Sequence, residues 1–90
     1  MTVAEATVKV LNKVGLHARP AVVFVKTARK FKSKVEICKE DECVDAKTLL
    51  KVLSLDVVYG DVITIKAEGE DAEEAVKTLV ELVESKFGEE

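Results

Sequence analysis

Within the first third of the chain the apolar residues change period, and that switch restricts the fold more than any other feature. From Val3 to Leu11 the chain alternates, with Ala4, Ala6, Val8 and Val10 on one side and Glu5, Thr7 and Lys9 on the other. Such alternation predicts a strand buried on one face. Asn12 to Leu16 carries Gly15 and reads as a loop. The spacing then becomes helical, with Ala21, Phe24, Val25, Ala28 and Phe31 on one stripe and Arg19, Lys26, Arg29 and Lys30 on other faces. Pro20 falls in the first turn, where the amides have no intrahelical acceptor to lose, so it does not break the helix. His17 then stands at or beside the N-cap.

Ser33 to Asp45 reads as a hairpin. Val35 and Ile37 alternate with Glu36 and Cys38, the turn falls near Glu40-Asp41, and Cys43-Val44 returns. Leu49, Leu50, Val52 and Leu53 predict a short helix with more apolar residues than one stripe can bury, so part of that surface is expected to be exposed. Tyr59-Gly60-Asp61 is a turn. Val62 to Glu68 is a strand with Ile63, Ile65 and Ala67 inward, ended by Gly69. A last helix begins near Asp71, with Ala75, Val76, Leu79, Leu82 and Val83 as its stripe. Asp71, Glu73 and Glu74 crowd its start, as the helix dipole favours. The order is strand, helix, two strands, short helix, strand, long helix. Interleaving excludes an all-β sandwich, and the hairpin excludes a purely parallel sheet. An α+β sheet with helices on one face accounts for the single inward side of each strand. Residues 1–90 read as one domain, without repeat or linker.

Composition removes several function classes. A hydrophobic share of 48% with 34% charged residues fits a globular chain. No apolar run approaches the ~20 residues of a membrane span. Met1 to Glu5 lacks the basic start and apolar stretch of a signal peptide, so a cytoplasmic location is expected. A net charge of -3 gives no general attraction to nucleic acid or anionic lipid. Any metal site or catalytic triad would have to be built around the one histidine.

That histidine lies in Gly15-Leu16-His17-Ala18-Arg19-Pro20-Ala21. At a helix start it stands beside amides that lack acceptors and the positive end of the macrodipole, a setting that stabilises an anion such as phosphate. Arg19 can supply a fork of donors to phosphoryl oxygens. Gly15 allows a sharp turn and backbone room for a ligand. The group can accept a phosphoryl moiety on a ring nitrogen and hold it. The bland alternative is that His17 merely caps the helix and Arg19 is solvated.

The segment resembles the active-site signature of the histidine-containing phosphocarrier (HPr) family of the bacterial sugar phosphotransferase system. The similarity continues through Val44-Asp45-Ala46-Lys47-Thr48-Leu49 and Ala67-Glu68-Gly69-Glu70-Asp71 and covers essentially the whole chain. It implies an open-faced β-sandwich, βαββαβα, in which a four-stranded antiparallel sheet carries three helices on one face. It further implies a monomeric phosphoryl carrier, not an enzyme. That carrier would be charged on Nδ1 of His17 by enzyme I and discharged to the IIA domains of sugar uptake. Arg19 and the amide of Ala18 would compensate the charge, with no metal or bound cofactor required. The implied partner surface comprises Val22, Val23, Lys26 and Arg29 with Leu49, Leu50 and Lys51.

Thr48 stands where many members carry a regulatory serine. Its hydroxyl suits an N-cap equally well. Asp45 replaces the more usual Asn, and Lys51 resembles unregulated members, so modification by an HPr kinase/phosphorylase is not expected. Two other functions remain open at this level. One is a carrier in a dedicated nitrogen or dihydroxyacetone circuit; the other is a module that signals to a transcriptional regulator through Thr48. Retention of His17 argues against the second.

Cys38 and Cys43 are too few for a disulfide framework or a zinc site. A turn at Glu40-Asp41 pairs Lys39 with Glu42, Cys38 with Cys43 and Ile37 with Val44. Both cysteines should then lie on the exposed face as a non-hydrogen-bonded pair, with α-carbons about 4.5 Å apart. A bridge is geometrically possible, and a reducing cytosol opposes it. Both states stay open.

Overall fold

A computed structural model describes residues 2–88. Met1, Glu89 and Glu90, at the ends of the expected 1–90 domain, lie outside the described residues. The elements are β1 (Thr2–Lys9), α1 (Ala18–Ala28), β2 (Lys34–Lys39), β3 (Glu42–Asp45), α2 (Leu49–Ser54), β4 (Val62–Gly69) and α3 (Ala72–Glu84). This is the expected βαββαβα order. The strands form one antiparallel sheet in the order β1-β4-β2-β3. Among the described residues no helix is long and apolar enough to cross a membrane.

Pleating decides the layers. Side chains two apart share a face, so Val8, Val35, Ile37, Ile63, Ile65 and Ala67 all turn to the helices and are buried. The opposite face carries charge in register: Glu5 pairs with Lys66, and Lys66 with Glu36. The helices close the core with Phe24, Val25 and Ala28 from α1, Val52 from α2, and Ala72, Ala75, Val76, Leu79 and Val83 from α3. Leu49 and Leu82 pack partly buried against it. Leu50 remains 77% exposed, so the surplus of α2 is outward, as its crowded apolar pattern requires.

Three local expectations are corrected. Phe31 is not on α1, which ends at Ala28; it packs half-buried on the core from the following turn. Cys38 and Cys43 pair in the expected register and are bonded, with α-carbons 4.0 Å apart. Cys38 is nevertheless buried, only 5% exposed. It lies on the interior strand β2, flanked by Thr64 and by its bonded partner Cys43. Thr48 occupies the N-cap of α2, but its hydroxyl donates to Asp45 Oδ2 at 3.1 Å instead of capping the helix.

Asp71, the N-cap of α3, also turns away from its own helix. It accepts from the Lys32 and Ser33 amides, both at 2.9 Å, and from the Ser33 hydroxyl at 2.6 Å. These bonds tie the β4–α3 corner to the segment that leads into β2. The Ser33 hydroxyl first, then the Lys32 amide, hold its carboxyl down to about 2 from an ordinary 3.8. Gly69 permits the approach, since a Cβ there would meet Ser33 Oγ at 2.5 Å.

Candidate functional site

The loop before α1 is built around Asn12, which is buried. Its Nδ2 donates to the Gly15 carbonyl at 2.9 Å, and the Gly15 amide donates back to the Asn12 carbonyl at 3.1 Å. Gly15 has φ 66°, a region that a side chain disfavours. Its missing Cβ is not space for a ligand, which corrects one expectation. A Cβ there would meet the Val57 carbonyl oxygen at 2.3 Å and Val58 Cα at 2.8 Å. The next amide, Leu16, donates to Val57 O at 3.0 Å. Gly15 therefore lets the loop dock on the segment after α2, and buried Leu16 anchors it to the core.

This docking delivers His17 to the N-cap of α1 in an extended conformation. The imidazole makes no capping hydrogen bond, so the bland reading of a capping histidine fails. The ring is partly exposed instead, with Nε2 3.1 Å from Asp56 Oδ1. Ala18 follows with φ 53°, an uncommon conformation for alanine, and Ala18 and Arg19 are both exposed. The first turn of α1 holds no acidic residue, so no carboxylate there answers the positive end of the helix dipole. The locus sets a part-exposed imidazole at a helix start, with the exposed Arg19 two residues further on.

Asp56 was not among the residues singled out from sequence. It lies just past the end of α2, after the C-cap Leu55 and far from His17 in the chain, and no local pattern distinguishes it from a solvated acid. Its backbone has φ 53°, and its carbonyl accepts from Lys39 Nζ at 2.8 Å. The same ammonium reaches Leu55 O at 3.3 Å and pairs with Asp61 Oδ2 at 3.0 Å. Asp61 also accepts from the Val58 amide. That amide bond first, with the Lys39 contact second, holds the Asp61 carboxyl below its ordinary value; the Asp61 contact holds the Lys39 ammonium above its own.

The other singled-out residues divide by role. Val22, Lys26, Leu50 and Lys51 are exposed, while Val23 and Leu49 are half-buried. α1 packs beside α2, which brings the two sets onto neighbouring helices. Arg29 is exposed and also structural: its Nε donates to the Lys47 carbonyl at 2.8 Å, linking α1 to the segment before α2. Among the described residues no group of three or more His, Cys, Asp or Glu side chains could hold a metal ion.

Comparison with known proteins accounts for this arrangement. The family model for the PTS HPr component phosphorylation site matches residues 4–85. The phosphocarrier protein HPr of Buchnera aphidicola is 44% identical over 80% of this chain and 85% of its own. That of Neisseria meningitidis is 37% identical over 92% of this chain and 93% of its own. A crystal structure of HPr-C-His from Thermoanaerobacter tengcongensis superposes with a TM-score of 0.95 at 52% identity. It covers 97% of this chain and 98% of that one. The chain thus belongs to the HPr family of phosphocarrier proteins of the phosphotransferase system, which carry a phosphoryl group and are not enzymes.

Proposed function

We propose that this chain accepts a phosphoryl group from phospho-enzyme I on Nδ1 of His17 and delivers it to sugar-specific IIA domains in the cytoplasm. The observation that carries the reading is the chain's one histidine, held part-exposed at the start of α1 without a capping role. The Nδ1 lone pair attacks phosphorus, the donor's bond to phosphorus breaks with its electron pair, and the reverse exchange discharges the carrier. Arg19 and the Ala18 amide offset the charge of the bound group, since charge-assisted donors are the stronger partners of phosphoryl oxygens. Docking falls to Val22, Val23, Lys26, Arg29, Leu49, Leu50 and Lys51, an apolar centre with a charged rim.

Incubation with phosphoenolpyruvate and enzyme I, read by intact mass, tests the assignment. One acid-labile phosphoryl group is expected on the native chain and none on His17→Ala. Arg19→Ala is expected to fold and to label more slowly. Labelling of His17→Ala overturns the assignment of the acceptor, and unchanged kinetics in Arg19→Ala overturn the role of that guanidinium.

A further inference from the structure

Asp56 adopts a left-handed backbone, a region in which Asn and Asp are enriched among residues with a side chain. Two attachments hold it there. The Lys39 ammonium binds its carbonyl and is itself paired with Asp61, while the next carbonyl, of Val57, accepts from the Leu16 amide. The residue is thus fixed from the hairpin on one side and from the His17 loop on the other. Its carboxylate, 75% exposed, faces Nε2 of a ring that is 39% exposed. Lys39, which bonds the Asp56 carbonyl at 2.8 Å and pairs with Asp61, is a cation that also acts on this carboxylate.

We infer that Asp56 is a positioning residue for His17: its carboxylate keeps the ring proton on Nε2, turns the unprotonated Nδ1 outward and balances the positive charge the ring gains on phosphorylation. The inference rests on His17 as acceptor. A neutral ring protonated on Nε2 has its lone pair on Nδ1. When that pair forms the bond to phosphorus, the donor's bond breaks with its electrons, and the ring keeps its Nε2 proton and becomes cationic. A carboxylate 3.1 Å from Nε2 stabilises that ring more than the neutral one, so it favours charging. The exposure of the pair keeps the effect modest.

Asp56→Asn tests this, because Asn tolerates the same backbone and keeps the shape while removing the charge. Asp56→Gly, suited to a positive φ, is the second variant and separates backbone fit from charge. One readout is the pair of 15N shifts of the single imidazole in the unphosphorylated chain at alkaline pH. The other is the initial rate of labelling from phosphoenolpyruvate through enzyme I. Both variants are expected to draw the two ring shifts closer together and to slow labelling about two- to fivefold, the range an exposed ion pair supports. Asp56→Glu is expected to recover part of the rate. Ring shifts that match the native chain overturn the inference whatever the rates. Altered shifts with an unchanged rate overturn the part played in transfer. Failure of every chain, native included, to label would strike the acceptor assignment and leave the ring shifts to judge Asp56.

Discussion

At the scale of single residues, Gly15 supplies the fit of the loop before α1, and His17 is the proposed phosphoryl acceptor. Gly15 is buried at φ 66° against the Val57 carbonyl, so any side chain meets both backbone strain and a clash. Gly15→Ala is expected to destabilise by more than about 1 kcal/mol and to slow labelling as His17 shifts from Asp56. His17→Ala removes no capping bond and is expected to leave stability within about 0.5 kcal/mol. Equal denaturant midpoints for native protein and Gly15→Ala would contradict the docking account. The sharp turn at Gly15 and the place of His17 at the start of α1 were legible in the sequence, whereas the close approach of Gly15 to Val57 was not, because it joins segments far apart in the chain. Asp56 was not legible, since its role depends on a loop contact that periodicity does not encode. Thr48 suited a cap by type, yet Asp45 three residues earlier claims its hydroxyl.

At the scale of elements, alternation and helical spacing gave the strands, the inward faces and the register of the hairpin, because each of these is set by local pattern. The ends of elements were less legible. Asp71 looked like a dipole-complementing start to α3, and it is instead the acceptor that secures Lys32 and Ser33 across the fold. The carboxylate is held at about 2 against an ordinary 3.8. A depressed folded value means the stabilisation is full above the unfolded value and is lost as pH falls from there toward the folded one. Urea midpoints measured between neutral pH and about pH 2 are expected to fall more steeply for the native chain than for Asp71→Asn across that acid window. Parallel curves would show that the carboxylate does not hold this corner.

At the scale of the whole molecule, the Cys38–Cys43 bond closes the β2–β3 hairpin, and Lys39 beside it reaches the carbonyl of Asp56, whose carboxylate faces His17. The bond closes a loop of sequence separation 5, which on a chain-entropy basis contributes at most about 2 kcal/mol. Reduction is expected to lower the denaturant midpoint modestly and to leave labelling by enzyme I unchanged. A midpoint insensitive to reductant would contradict a closed bridge in solution. The central claim is carriage: a phosphoryl group must arrive on His17 and leave it intact for another protein. The direct measurement is a single-turnover chase, in which the phosphorylated chain is purified from enzyme I, mixed with an isolated IIA domain and followed by intact mass. The account predicts that loss from the carrier is matched by gain on the IIA domain, faster than release of free phosphate. Phosphate appearing in solution while every IIA domain tried stays unlabelled would contradict it.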